Sequence, residues 1–231
     1  SIINVGRINA ISIPHILPEK IHTLKMTIPR GQMYTIILSD GTQVCLNTGS
    51  SLKYPSQFGS DSRVVELSGE AYFKVTKDAA RPFIVKTDYM VTRVLGTEFN
   101  VRAYNEKDAS VTLVSGKVEV ESGDKARLSL NPNECAMIKA SKLQVQTVDV
   151  KKYTAWVDGY FYFDNASLED IMKELGRWYN INIEFANKST KEYKYKFWAD
   201  RNGSLEDAVD LLNEYGKASI IVQNKRLIIY K

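Results

Sequence analysis

Histidine and cysteine, which often carry acid–base, nucleophilic or metal chemistry, are few in this chain and far apart. The only histidines, His15 and His22, both lie in an irregular N-terminal stretch, where no pattern gives them a function. Cys45 and Cys135 lie in separate strand-like runs, without a second ligand at the spacing of a metal site. We expect both cysteines to be buried thiols, and a disulfide between them is the alternative.

The short motifs of enzymes are missing as well. The sequence has no Gly-x-Ser-x-Gly elbow, no phosphate-binding Gly-x-x-x-x-Gly-Lys-Ser/Thr loop and no Gly-x-Gly-x-x-Gly fingerprint. Carboxylates are common, but no pair stands out, although a glycosidase could use two that are distant in sequence. We therefore predict a non-enzymatic protein without a cofactor or metal, whose function is binding.

One segment combines aromatic and basic side chains at strand spacing and is the candidate partner-binding site. Its side chains alternate, so that the lysines share one face of a strand. One interpretation is a half-buried strand with a solvated lysine face. The other is an edge strand that a partner extends, with the lysines preventing self-association. The segment consists of Tyr193, Lys194, Tyr195, Lys196, Phe197 and Trp198.

Composition indicates an ordinary globular protein of one or two domains. The chain has 231 residues, of which 44% are hydrophobic and 25% charged, with a net charge of +4. The basic residues form no long run, so nucleic-acid binding has little support. No apolar run approaches the length of a membrane helix. Because the sequence begins at Ser1, we expect a mature or excised fragment whose targeting or membrane segment could have been lost.

Residues 1–150 are predicted to form an all-β domain, a sandwich or a solenoid-like fold. Asp40-Gly41 between two apolar runs predicts a hairpin, and glycine-containing turns recur every 8–12 residues or so. Ser68-Gly69 is expected to separate a strand Val64–Leu67 from a strand Ala71–Val75. The first 30 residues could add strands or serve as a tether. We expect the β core to be filled by Leu46, Leu52, Leu67, Tyr72, Phe83 and Phe99.

Residues 151–231 are predicted to form a small α+β domain of two β-α-β units. Asn165-Ala166-Ser167-Leu168-Glu169-Asp170 returns as Asn202-Gly203-Ser204-Leu205-Glu206-Asp207, and only the second position differs. In both copies a serine precedes a helical pattern with an aspartate three residues on, as in a capping box. Aromatic strands precede both copies, and Trp178 lies on the apolar face of the first helix, so we expect it in the core.

Several stretches of the chain resemble the FecR family of anti-sigma regulators. They are Leu38-Ser39-Asp40-Gly41-Thr42, Leu46-Asn47-Thr48-Gly49-Ser50, Arg63–Val75, Arg81–Val85, Val94–Val101 and Val111–Val118. Ser39 replaces the usual proline of the family, and Cys45 the usual tryptophan. From Trp156 to Lys231 the chain is similar to the short domain of secretins and TonB-dependent receptors. The resemblance covers most of residues 30–231.

The resemblance implies a periplasmic signal-receiving region that is anchored to the inner membrane in the full-length protein. In the family, a cytoplasmic segment holds an ECF sigma factor, and the signal comes from the periplasmic N-terminal domain of a TonB-dependent outer-membrane receptor. The family motifs are residues of the fold, so they assign no interface. Two alternatives remain: a carbohydrate-binding module, because β folds rich in tyrosine and tryptophan often stack sugars, and a structural protein of the cell envelope.

Overall fold

The fold is that of a computed structural model, which describes residues 8–12, 21–139 and 142–231. The chain divides into two compact units, residues 1–154 and residues 155–231. The described strands of the larger unit are β1 (Ile8–Ser12), β2 (Thr23–Thr27), β3 (Met33–Ile37), β4 (Gln43–Leu46), β5 (Ser51–Pro55), β6 (Arg63–Lys74), β7 (Phe83–Lys86), β8 (Met90–Val94), β9 (Glu98–Ala103), β10 (Ser110–Ser115), β11 (Val118–Ser122), β12 (Arg127–Leu130), β13 (Glu134–Lys139) and β14 (Lys142–Thr147). A short helix, α1 (Lys151–Thr154), follows them.

The strands of the larger unit form one 14-stranded sheet that is nearly closed into a barrel. Its longest path runs β12-β11-β8-β7-β6-β9-β10-β13-β14, and β12 contacts β13 and β14 across the gap. The remaining strands branch from β6, which pairs with β4 and β5 as well as with β7 and β9. The prediction of a mostly-β fold is therefore confirmed. Its architecture, which the sequence left open between a sandwich and a solenoid-like fold, is a nearly closed barrel.

The long strand β6 corrects one expectation from the sequence. Ser68-Gly69 does not end a strand, because β6 continues from Arg63 to Lys74. Its first half pairs with β5 and β7, whereas its second half pairs with β4 and β9. Gly69 has a φ of +97°, and a Cβ there would lie 2.4 Å from the Ser50 Oγ atom. The glycine thus lets the strand bend and pass close to Ser50 without interrupting it.

The core of the larger unit contains five of the six predicted residues. Leu46, Leu52, Leu67, Phe83 and Phe99 are buried, and Phe73 stacks on Phe99 with ring centroids 5.1 Å apart. The expectation for Tyr72 was wrong, because this side chain is only half-buried and its hydroxyl donates to Glu98 at 3.3 Å. Ala71 and Phe73 face the core, and successive side chains of a strand point to opposite faces, so Tyr72 points away from it.

Both cysteines are buried thiols, and the sheet holds them far apart. Cys45 and Cys135 lie in one row of paired residues that crosses β4, β6, β9, β10 and β13 through Tyr72, Asn100 and Thr112. Four strand spacings of about 4.8 Å, roughly 19 Å along the curved sheet, separate them, and both are free thiols. The Thr112 hydroxyl donates to the Cys135 Sγ atom at 3.2 Å, and burial raises the pKa of this thiol.

The described residues among the first 30 contribute two strands to the sheet. β1 pairs in parallel with β3, and β2 pairs antiparallel with β5. His22 is exposed, and its backbone exchanges hydrogen bonds with Ser56. His15 lies outside the described residues.

The smaller unit contains two helices and five strands in the part of the chain that is described. They are β15 (Tyr160–Ser167), α2 (Leu168–Trp178), β16 (Asn182–Phe185), β17 (Lys194–Asp200), α3 (Leu205–Asn213), β18 (Ser219–Gln223) and β19 (Arg226–Tyr230). The order is that of two successive β-α-β segments. The first strands of the two segments pair with each other, whereas the second strands lie in a separate sheet of order β16-β19-β18.

The repeated hexapeptide begins both helices, as its pattern predicts. The Ser167 hydroxyl accepts the Asp170 amide at 3.1 Å, and the Ser204 hydroxyl accepts the Asp207 amide at 3.0 Å. At α3 the Asp207 carboxylate also accepts the Ser204 amide, which completes a capping box. The apolar side chains of α2 face inward, so Trp178 is buried and its indole N–H donates to the Arg201 carbonyl at 2.8 Å.

Among the described residues, no helix is both long and apolar enough to cross a membrane.

Candidate functional site

The predicted partner-binding segment forms most of β17, and Tyr193 directly precedes this strand. Along β17 exposed and buried side chains alternate without exception. Tyr195 and Phe197 are 1% and 2% exposed, whereas Lys194 and Lys196 point to the other face. The predicted alternation of an apolar face and a lysine face is therefore present.

The pairing of β17 with β15 leaves one side of β17 unpaired by any described strand. The two strands form an antiparallel ribbon in which Phe163 lies opposite Phe197 and Tyr162 opposite Trp198. The register shifts between Phe163 and Ala166, where Asn165 has a φ of +57°. This irregularity ends the regular ladder and leads β15 into α2. β17 is consequently an edge strand, the kind of element that a partner strand can extend.

Two side chains that follow α3 contact the free edge of β17. The Lys217 Nζ atom donates to the Lys194 carbonyl at 2.6 Å, and the Tyr215 hydroxyl donates to the Lys196 carbonyl. Lys217 also lies over the rings of Tyr195 and Tyr215, at 5.1 Å and 5.8 Å from their centroids. Side-chain donors thus take the places that backbone donors of a neighbouring strand would fill.

An open groove of about 330 Å³ runs between β17 and the end of α3. Three of its lining side chains are large, apolar in character and substantially exposed: Trp198 at 54%, Leu211 at 40% and Tyr215 at 46%. The remaining lining residues are Lys196, Phe197 and Glu214. Exposed aromatic side chains around a groove are typical of protein-binding surfaces, since they bury a large area at small entropic cost.

The tryptophans and the rings beside them do not form a flat sugar-stacking platform. Trp156 and Trp178 are 6% and 2% exposed. Around Trp198, the rings of Tyr160 and Tyr162 lie 5.2 Å away but are inclined at 42° and 65°. Stacking on a sugar would require exposed coplanar rings in a groove, so this geometry counts against the carbohydrate-binding alternative.

The described part of the chain contains no group of three or more His, Cys, Asp or Glu side chains placed to hold a metal ion. Near the groove, burial raises the pKa of the Tyr195 hydroxyl, and the neighbouring Tyr193 adds to the shift. This buried hydroxyl therefore stays neutral. The arrangement offers hydrogen bonds, apolar contacts and positive charge, which is the chemistry of peptide recognition.

Sequence reasoning found the strand of this site but missed Leu211, Tyr215 and Lys217. Leu211 lies beside the buried face of α3, which contains Ala208, Val209 and Leu212, and the other two follow the helix without any motif. The left-handed φ of +64° at Gly216 turns the chain here, as its position after α3 suggests. Only the packing of α3 beside β17 brings these three side chains to the strand edge.

Comparisons with known proteins agree on one family. A family model described as "FecR protein" matches residues 25–119, and a second, described as "FecR, C-terminal", matches residues 160–229. Among curated proteins, none matches the chain significantly. Two crystal structures of a "putative anti-sigma factor from Parabacteroides distasonis ATCC 8503", at 1.65 Å and 2.50 Å resolution, have the same fold with a TM-score of 0.83. Both are 32% identical to this chain. The matches span 90% and 91% of this chain and 99% of each solved chain. The order of the two matched regions, the level of identity and the shared fold place this chain in the FecR family of anti-sigma regulators.

Proposed function

We propose that this chain is the periplasmic signal-receiving region of a membrane-anchored anti-sigma factor that regulates an ECF sigma factor. The signal comes from a TonB-dependent outer-membrane receptor. The observation that carries the proposal is the fold match over 90% of the chain to an anti-sigma factor, together with the two FecR regions in family order. Regulation by binding also fits the absence of enzyme motifs from the sequence.

The receptor contact is assigned to the segment Tyr193–Trp198, through addition of a receptor strand to the free edge of β17. Three features support this assignment: the strand is paired on one side only, its lysines are exposed, and Trp198 is exposed beside them. Lysines on an edge strand oppose pairing between identical edges. They leave a strand of opposite charge as the favoured addition.

The experiment that tests the proposal measures binding of this chain to the periplasmic N-terminal domain of receptors encoded beside it. A pull-down identifies the receptor, and titration calorimetry then compares wild type with the double variant Lys194→Glu, Lys196→Glu. We expect the double variant to bind at least about tenfold more weakly, because both lysines flank the contact. Circular dichroism establishes that the variant is folded.

A matched control separates a local contact from a general effect of charge. Lys173 and Lys188 are exposed on the same unit and lie outside β17. The double variant Lys173→Glu, Lys188→Glu changes the net charge equally, and its affinity for the receptor domain should stay within about twofold of wild type. Equal affinity of the folded Lys194→Glu, Lys196→Glu variant and wild type would refute the proposed contact.

A further inference from the structure

The edge of β17 and the groove beside α3 together define the chemistry of the segment that binds there. Resting on the proposed function, we infer that the partner contributes an extended segment in which acidic and apolar side chains alternate. One apolar side chain enters the groove, and the acidic ones face the lysines of β17. Tyr215 and Lys217 occupy the edge until that segment displaces them.

The unpaired edge of β17 has backbone groups that an added strand can bind. Residues 195, 197 and 199 have their amides and carbonyls directed at β15, since the groups of Lys194 and Lys196 point the opposite way and accept side-chain donors. By the same alternation, the amides of Lys196 and Trp198 are directed away from β15, toward the unpaired edge. A strand that added here would donate to the two carbonyls in place of the Tyr215 hydroxyl and the Lys217 ammonium group.

The groove can receive one apolar side chain of the added strand. Side chains of an added strand alternate between the two faces of the ribbon, as those of β17 do. On the face that carries Phe197, the added strand meets α3 and the side of the groove formed by Leu211 and Tyr215. Lys196 and Trp198 line the groove from the other face. A volume of about 330 Å³ accommodates one leucine-sized or aromatic side chain. Burying such an anchor in a pocket is the usual source of affinity at an interface.

The positive charge along this edge argues against a second copy of this chain as the occupant. Lys194, Lys196 and Lys217 are all exposed along the edge, and Glu214 is the one acidic residue lining the groove. A second β17 would bring lysines close to lysines, which destabilises a strand pair. Acidic side chains on the outer face of an added strand would instead lie across from the lysines.

The test uses the whole 231-residue chain and a labelled nine-residue peptide in which Asp and Val alternate, with a central Leu in place of one Val. Fluorescence anisotropy measures its affinity. We expect a peptide with Lys in place of Asp to bind at least about tenfold more weakly, because it repels the edge lysines. Since this comparison uses wild-type protein, it does not depend on the folding of a variant.

Two variants test the groove and the displaced hydroxyl separately. Leu211→Asp places a charge in the groove and should weaken binding of the Asp–Val peptide by at least about tenfold. Tyr215→Phe keeps the ring but removes the hydroxyl that competes for the Lys196 carbonyl, so binding should tighten by about fivefold, the equivalent of one neutral hydrogen bond. Ile221→Asp, at an exposed apolar residue of β18 outside the groove lining, should leave affinity unchanged.

The possible outcomes distinguish this inference from the proposed function. If the receptor domain loses affinity for Lys194→Glu, Lys196→Glu but not for Leu211→Asp, the edge is used without the groove and the inference is overturned. Equal binding of the acidic and basic peptides, or no binding of either, also overturns it. Self-association of the wild-type chain that Leu211→Asp abolishes would identify a second copy as the occupant and overturn it as well.

Discussion

Breaking the buried ion pair between Asp40 and Arg63 is the strongest single test of what stabilises the larger unit. The Arg63 side chain is 0% exposed and that of Asp40 is 5% exposed, with the Nη1 and Oδ2 atoms 2.7 Å apart. The Nη1 atom of Arg63 also donates to the Thr76 carbonyl at 2.8 Å, and Nε donates to the Arg81 carbonyl at 2.9 Å. Asp40→Asn removes the charge of the partner and leaves the guanidinium buried.

The expected loss follows from this burial. Breaking a buried ion pair by neutralising one partner costs about 3–5 kcal/mol, because the remaining charge has lost both water and counter-ion. Asp40 also accepts the Thr42 amide at 3.0 Å through Oδ1 and the Thr42 hydroxyl at 2.7 Å through Oδ2. An asparagine can retain the first bond and can donate to the hydroxyl oxygen in place of the second. We therefore attribute the loss to the Arg63 charge. With a slope of about 2–3 kcal/mol per M urea, the midpoint of unfolding should fall by about 1–2.5 M.

Urea unfolding followed by far-ultraviolet circular dichroism measures the transition of the strands. All three tryptophans lie in residues 155–231, so tryptophan fluorescence follows the smaller unit separately. Glu66→Gln is the matched control, because Glu66 lies on the same strand as Arg63 but pairs with Lys53 at 3.1 Å with both side chains about half exposed. An exposed pair of this kind contributes about 0–1 kcal/mol.

A double variant decides whether the buried charge is the cause. Adding Arg63→Met to Asp40→Asn removes the guanidinium. The loss of stability in the double variant should therefore be smaller than the sum of the losses in the two single variants, by about 1–3 kcal/mol. If Asp40→Asn costs no more than Glu66→Gln, or if the losses of the two single variants simply add, the reasoning from buried charge is refuted.

Two further predictions concern backbone geometry and pH. Gly69→Ala should cost about 2–4 kcal/mol in urea unfolding, because its Cβ would lie 2.7 Å from the Ser50 Cα atom at a positive φ, whereas Gly59→Ala, with open space around it, should cost less than about 1 kcal/mol. Burial raises the pKa of Tyr153 from its usual 10.0 to about 12, and the neighbouring Cys135 adds to the shift. The unfolded state therefore loses this proton at a lower pH than the folded state, so the free energy of unfolding should fall as pH rises from 10 to 12. Tyr153→Phe should remove part of that fall. An identical pH profile of the melting temperature in the variant and wild type would contradict the prediction.

The pattern of the sequence determined much of the local structure. Asp40-Gly41 predicts the hairpin of β3 and β4, because glycine accepts the φ of +83° that this turn requires. Ser167 and Ser204 predict the starts of both helices, since a serine followed by an aspartate at this spacing satisfies free amides of the first turn. Such features depend on residues within a few positions of one another, so the order of residues is sufficient to predict them.

The tertiary structure alone decided which distant residues meet. The motif residue Asp40 is also the counter-ion of Arg63, Tyr72 faces away from the core that receives Phe73, and Gly69 bends a strand that continues through it. At the candidate site, the sequence predicted the alternation along β17, whereas α3 brought Tyr215 and Lys217 to its edge. The physical reason is that alternation is set by the strand itself, while pairing, burial and charge contacts depend on how elements far apart in the chain pack together.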